Sequence, residues 1–426
     1  MRLEVGTFPV SEIVEGSQTH WNDGVLEIDL GELRSIVSED PNVGNFEIDI
    51  LQPGDDVRVI NYTDIVEPKV KLDGPGIAYP GICGRSTAMV GQGRTHRLGG
   101  CAVVECIDTS QVIVDDRVGF TRKQSGSPDP FFDMSGRNAV TPWALMHNIC
   151  VSFEAPSGMN AEDRHRILHS ATLRISDRLA QTVADLAPPE QEVFDLTPKE
   201  GLPGAVFIPH LSSTEWSVGA RSSLGMAVYG QTRLSAPWLI EGTEMLDGAV
   251  SQRHSWMLAN NPVVLDMCRR HGKTFNFLGC IIQRTNWTMQ VEKEMAAERA
   301  AHLAAKIGAG AAITTTDIRG QRFVETILTL QACERMGIKT VLLTEEEDPE
   351  GGTAPPLLVS PPEVVSVVSL GTGSVPDTFA SVGRVVGALS HPDEHWFGEQ
   401  PLIPGRYGAY HAQDIFGWGT QSLADY

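Results

Sequence analysis

From Pro262 onward the chain alternates segments of helical and strand period, and this alternation restricts the fold more than any other feature of the sequence. Pro262 to His271 predicts a helix with proline in its first turn. Asn276 to Ile282 predicts a strand, Thr288 to Ile307 a helix rich in Ala, Glu and Lys, and Ala311 to Thr314 a strand. Arg322 to Met336 then predicts a helix and Lys339 to Leu343 a strand. Strands joined by helices of this length lie parallel and are covered by those helices. Upstream, Ala161 to Leu186 carries an apolar stripe (Ile167, Leu168, Ala171, Ile175, Leu179, Val183) at helical spacing. A proline-rich stretch, Pro188 to Pro203, reads as a linker, and Ala205 to Ile208 as a strand. Before that the rhythm is β: Phe46 to Ile50 and Val57 to Asn61 alternate, and Cys101 to Ile107 is a continuous apolar run. The expectation is an α/β chain with a β-rich half, residues 1–150, and a three-layer half built on a parallel sheet, residues 151–426.

Composition narrows the function classes. The chain carries 33 basic and 54 acidic residues, a net charge of −21. That argues against non-specific binding to nucleic acid or anionic membrane, which needs basic patches. No segment approaches the ~20 apolar residues that span a bilayer, and MRLEVGTFPV has no secretory apolar core. The 7 cysteines include no CxxC pair, which predicts reduced thiols in a cytoplasmic setting.

Two segments pack glycines and ionisable groups beside apolar runs. In Gly91 to Gly100 (GQGRTHRLGG), read as a hairpin or crossover loop, Arg94 and Arg97 are candidates for holding a carboxylate, since guanidinium binds it through two parallel hydrogen bonds. His96 lies between them. In Glu244 to Val263, Asp247 and Gly248 form a turn signal, Arg253 is a further carboxylate candidate, and His254 is a candidate acid–base or metal ligand. Asn261 before Pro262 reads as a helix cap. A third candidate is Thr316 with Asp317, where a strand end meets a helix start, the usual place for ligands in open α/β sheets. His165 and His169 are four apart on a helix, flanked by charge, and read as a solvated pair. The cysteines match no zinc pattern and read as core.

In order along the chain, MRLEVG, NDGVLEID (Asn22 to Asp29), DIVEPKVKLDGPG (Asp64 to Gly76), GQGRTHRLGGCAVV (Gly91 to Val104), FDMSG (Phe132 to Gly136), EMLDGAV (Glu244 to Val250), NNPV (Asn260 to Val263) and GIKTVLLTEE (Gly337 to Glu346) resemble one family over nearly the whole length. It is the proprotein subunit of glycine, sarcosine and betaine reductase component B, with D-proline reductase a more distant relative. The resemblance implies reductive cleavage of a C–N bond α to a carboxylate. The amine is activated by a pyruvoyl group, and a thiol or selenol on a separate, larger subunit is the nucleophile. It also implies that the pyruvoyl forms by self-cleavage at a cysteine just beyond the DGAV stretch. Here Val250 is followed by Ser251, Gln252, Arg253, His254 and Ser255, and the next cysteine is Cys268. Ser251 or Ser255 would be the source of a pyruvoyl, with Cys150 a weaker alternative. The expectation is an uncleaved chain without one.

Three functions follow. The first is a subunit of a divergent reductase-like hetero-oligomer that cleaves a C–N or similar C–heteroatom bond of a small carboxylate-bearing substrate. Its catalytic candidates are His254, His96 and Asp247, and its binding candidates are Arg94, Arg97, Arg253, Thr316 and Asp317. The second is a lyase or hydrolase in which His96, His210 and His254 hold zinc or iron. The third is a non-catalytic scaffold.

Overall fold

The computed structural model describes residues 2–74, 89–108, 131–136, 139, 141–159, 161–212, 227–229, 236–251, 255–285, 287, 289–316, 321–346, 357–372, 378–389 and 394–401. Its first half is built on two four-stranded sheets. One contains β1 (Arg2–Pro9), β4 (Lys69–Asp73), β5 (Gly93–Gly99) and β8 (Glu190–Asp195), in the order β8-β1-β5-β4. The other contains β2 (Phe46–Leu51), β3 (Tyr62–Val66), β6 (Cys101–Asp108) and β7 (His147–Glu154), in the order β2-β7-β6-β3. Helix α1 (Leu30–Val37) starts at Asp29, whose carboxylate accepts from Gly31 N and Glu32 N. Helix α2 (Ala161–Gln181) lays the predicted stripe of Leu168, Ala171, Ile175 and Leu179 against Leu98, Val103 and Phe153.

Two expectations change. The supposed linker contains β8, which pairs antiparallel with β1 from Arg2↔Asp195 to Thr7↔Glu190. Proline punctuation marked this stretch as loop, but a free sheet edge captured the six residues between the prolines. Gly91 to Gly100 is mostly strand: β5 runs parallel to β1 and antiparallel to β4. Its glycines serve the entry and exit, where Gly91, Gly93 and Gly100 have φ of 90°, 79° and 75°.

The second half is a six-stranded sheet. Its members are β9 (Gly204–Ser212), β10 (Trp238–Ile240), β11 (Asn276–Thr285), β12 (Ala309–Thr315), β13 (Lys339–Glu346) and β14 (Val367–Thr372), in the order β10-β11-β9-β12-β13-β14. All neighbours run parallel except β10, which is antiparallel to β11. Helices α3 (Gly242–Leu246), α4 (Ser255–Ala259) and α5 (Pro262–Arg270) cover one face; Met245, Met257 and Val264 pack there with Phe207, Cys280 and Ile282. Helices α6 (Gln290–Lys306) and α7 (Gln321–Arg335) cover the other, where Ala297, Ala300 and Ala332 meet Val206, Ile208 and Ala312. The expected three-layer α/β half is therefore present. Asn261 caps α5 by accepting from Val264 N at 3.0 Å. The first core is continuous across position 150, joining Leu3, Val104 and Trp143 to Phe207, Met257 and Val264.

Candidate active site

The two glycine-bearing segments meet. Asp247, which closes α3, is buried, and three groups donate to its carboxylate. Gly91 N lies 2.7 Å from Oδ2, Lys71 Nζ 2.5 Å from Oδ2, and Thr95 Oγ1 2.6 Å from Oδ1. Lys71 Nζ also donates to Thr95 Oγ1 at 3.2 Å. The sheet register sets this up, because Lys71 is directly opposite Thr95 and Lys69 opposite Arg97 on the β4–β5 pair. Side chains alternate along a strand, so Lys69 and Lys71 share a face.

Lys69 Nζ donates to the Leu246 carbonyl at 2.9 Å and pairs with Glu67 at 3.1 Å. Arg97 donates to Thr7 Oγ1 at 2.9 Å and Asn260 Oδ1 at 2.7 Å, with Glu67 at 3.6 Å. Burial would raise the Glu67 carboxyl, but Lys69 and Arg97 outweigh it and hold it below its ordinary value. Burial pushes the Lys69 ammonium down, with Glu67 opposing. Next to this cluster the buried Glu244 accepts from the Tyr229 hydroxyl and from Glu241 N, while Val90 N donates to Tyr229 at 3.2 Å. Burial raises the Glu244 carboxyl.

A second buried network borders the start of α4. Asp64 and Glu105 are directly opposite on the β3–β6 pair, an arrangement that repels unless a cation intervenes. His169 of α2 supplies it, with Nδ1 3.0 Å from Glu105 and Nε2 3.8 Å from Asp64. Burial works against the imidazolium, but Glu105 and Asp64 raise it overall. Ser255 donates to Asp64 through both its N, at 2.6 Å, and its Oγ, at 2.7 Å. Burial lifts Asp64 to about 6. The reading of His169 as solvated is corrected: it is 3% exposed, because the stripe of α2 turns it toward the carboxylates of the sheet.

The other sequence candidates divide. Thr95 faces Asp247 and its neighbour His96 faces the opposite way, where Nδ1 lies 2.8 Å from the Val183 carbonyl and the ring 4.9 Å from Phe8. Arg94 is exposed and only 3.9 Å from Asp73. His210 is buried in the parallel sheet beside Thr329, so the structure does not bring it to His96. Thr316 is buried at the end of β12. Arg253, His254 and Asp317 lie outside the described residues, as does the side chain of His165. Among the described residues no three His, Cys, Asp or Glu side chains converge as a metal site. Cys101, Cys106, Cys150, Cys268, Cys280 and Cys333 are buried and unbridged; burial pushes the Cys333 thiol up to about 12 and those of Cys101, Cys150, Cys268 and Cys280 up as well.

Reading along the sequence missed Glu67, Lys69, Lys71, Asp64, Glu105 and Tyr229 as site residues. The signal was there in EPKVK, where charge recurs at every second residue of a segment too apolar to be a surface strand.

A buried cluster of paired ions thus lies under a glycine-framed strand, beside a parallel α/β sheet. The chain belongs to the glycine/sarcosine/betaine reductase component B subunit family, whose model matches residues 1–401. It is 29% identical to the betaine reductase complex component B subunit alpha of Peptoclostridium acidaminophilum, with all of both chains covered. It is 28% identical to the glycine reductase complex component B subunits alpha and beta of Acetoanaerobium sticklandii, over 92% of this chain and 90% of the relative. The sarcosine reductase complex component B subunit alpha of Peptoclostridium acidaminophilum is 25% identical over the same shares. No solved structure matches the chain. Among the described residues no helix is long and apolar enough to cross a membrane.

Proposed function

We propose that this chain is one subunit of a cytoplasmic amino-acid-reductase-like complex that cleaves a C–N or similar C–heteroatom bond in a small carboxylate-bearing substrate. A larger partner subunit supplies a thiol or selenol. In that reaction the partner's thiolate or selenolate attacks the carbon. The C–N bond breaks, its electron pair leaves with nitrogen, and the nitrogen takes up a proton. The observation that carries the reading is the convergence of Lys69, Lys71 and Arg97 on the junction of the Gly91 and Asp247 segments, in a chain whose relatives are named as reductase-complex subunits.

Arg94 is the exposed cation on this strand that can reach a substrate carboxylate, with Arg253 as its counterpart. Asp247 holds Gly91, Thr95 and Lys71 in place. His254 is assigned to the proton taken up by the leaving nitrogen. The described thiols are buried, and burial raises those of Cys101, Cys150, Cys268, Cys280 and Cys333, which supports placing the nucleophile on the partner.

The reading omits pyruvoyl. The stretch from Ser251 to Ser255 holds no cysteine, Cys268 is buried in α5, and the Ser255 hydroxyl and amide are both bound to Asp64. Intact-mass analysis of the purified chain, with its co-purifying partner, tests this point: two fragments, one with a blocked N-terminus, would overturn it. The activity is tested by supplying the complex with a dithiol and betaine, sarcosine or glycine and measuring amine release. No release from any small amino carboxylate would sink the proposal.

A further inference from the structure

A strand at a sheet edge presents N–H and C=O groups that invite another chain, and folded proteins blunt such edges with charge, proline or shortness. The edges of the two four-stranded sheets are blunted in this way: β8 carries Glu192, β4 Lys71, β2 Glu47 and β3 Asp64. In the six-stranded sheet the edge strand β10 is three residues long. The opposite edge, β14, has none of these devices. From Val364 to Thr372 the sequence is VVSVVSLGT, with no charge and no proline. Its valines are also uncovered: Val365 is 76% exposed, Val367 39% and Val368 42%. Successive side chains of a strand point to opposite faces, so Val367 and Val368 leave both faces of β14 open. Leu358 and Val359, in the segment leading to it, are exposed as well.

The register fixes which backbone groups are available. β14 runs parallel to β13, with Leu342 opposite Val367 and Leu343 opposite Val368, and Leu342 N donates to the Ser366 carbonyl at 3.0 Å. In such a ladder alternate residues direct their backbone groups to the neighbour, so Ser366 and Val368 face β13. Val365 and Val367 turn theirs to the outer side, where no further strand pairs with β14 among the described residues.

Charge and sequence symmetry identify the occupant. At a net charge of −21 two copies of this chain repel over most of their surface, so they can meet only at an uncharged patch. Around a two-fold axis the central residues face their own copies, and the interface must be self-complementary and free of like charge. The run Val364-Val365-Ser366-Val367-Val368 reads the same in both directions about Ser366. An antiparallel pairing centred there sets Val365, whose backbone points outward, against Val367 of the second copy, whose backbone does too. Ser366 then faces itself in a non-hydrogen-bonded pair.

We infer that β14 is the interface with a second copy of this chain, the two strands pairing antiparallel about a two-fold axis at Ser366 and joining the two six-stranded sheets into one. A single strand edge buries less than the ~800 Å² per partner of a standard interface, so the dimer is reversible and follows concentration. The inference does not rest on the reductase reading.

Sedimentation velocity of the full chain over a concentration series should show monomer passing to dimer with a dissociation constant on the order of 10 μM. Val367→Pro removes an outward donor and leaves the β13 ladder intact; Val367→Lys puts two ammonium groups at one small interface. Each variant, with the near-ultraviolet dichroism spectrum of the parent, should weaken dimerisation about tenfold or more. Ser366→Cys locates the axis. A non-hydrogen-bonded antiparallel pair brings its Cα atoms to ~4.5 Å, within disulfide range, so oxidised glutathione should crosslink this variant into a dimer on a non-reducing gel and leave the parent chain uncrosslinked. A single monomeric species up to about 100 μM would overturn the inference. So would dimerisation at parental strength in the folded Val367 variants, or a Ser366→Cys chain that crosslinks no more than the parent; this last result decides alone should both Val367 variants misfold.

Discussion

Lys71 Nζ and Asp247 Oδ2 lie 2.5 Å apart with both side chains at most 4% exposed, although 176 residues separate them in the chain. The pair ties β4, the antiparallel neighbour of β5, to the end of α3. A buried charge left without its partner is costly, about 3 to 5 kcal/mol, whereas removing both costs less. Lys71→Met and Asp247→Asn should each lower the urea-unfolding free energy by about that amount. The double variant should lose less than the sum of the two. Additive losses would show that the two groups do not act as a pair.

Gly91 should not tolerate a side chain. Its φ is +90°, and a Cβ there would come within 2.6 Å of Glu244 N and 2.8 Å of Glu244 Cα. Both atoms are backbone, so neither can swing away. Gly91→Ala should cost about 1 to 3 kcal/mol from the dihedral alone, with further loss from the contact, and should abolish activity of the complex. A thermal-unfolding midpoint unchanged from the parent would contradict this.

Asp64 sets a pH dependence. Burial lifts its carboxyl from an ordinary value of 3.8 to about 6, so the folded state holds its proton more tightly. The stabilisation is complete below about pH 4 and is lost as pH rises through about 6. His169, also raised, adds a loss of the same sign above its unfolded value of 6.5. Relative to Asp64→Asn, the parent chain should therefore lose up to about 1.4 kcal/mol per pH unit between pH 4 and 6. Urea titrations of both proteins at several pH values would show it; a difference that is flat with pH would refute it.

Tyr229→Phe removes the hydroxyl that accepts from Val90 N and donates to Glu244. Both partners are buried, so Val90 N loses its acceptor and Glu244 Oε1 its donor, and the loss should be about 1 to 3 kcal/mol. Because Val90 precedes the Gly91 turn, amide hydrogen exchange should quicken at Val90 and Gly91. Unchanged exchange at both would mean that the hydroxyl does not anchor the turn.

The buried thiols give a chemical test. Cys101, Cys106, Cys150, Cys268, Cys280 and Cys333 should resist a thiol reagent in the folded chain at pH 8 and react once it is unfolded. Rapid labelling of any of them in the native state, read by peptide mass, would reopen the case for a nucleophile in this chain.

Wherever neighbours in sequence determined the structure, the sequence was readable. The 3.6-residue stripe of Ile175 and Leu179 and the cap at Asn261 depend on residues a few positions away. The parallel strands Asn276–Thr285 and Ala309–Thr315 announced themselves as short apolar runs between helices. The family resemblance was equally legible, since ordered motifs survive in the chain whatever their spatial arrangement.

What the sequence left open was pairing across long separations. Proline punctuation concealed β8, because a strand edge supplied by Arg2–Pro9 decides its conformation. His169 looked like a solvated residue until Asp64 and Glu105 came under it from two other elements. His96 and Thr95, adjacent in sequence, were sent to opposite faces by the pleat. By itself the chain determined its α/β class, its four longest helices and its family, through local periodicity and motif order, while the shorter helices Leu30–Val37, Gly242–Leu246 and Ser255–Ala259 carry too few turns to show a period. The tertiary structure alone decided which ions neutralise one another, because a buried charge is stabilised by groups a few ångströms away in space, and their distance along the chain does not enter that energy.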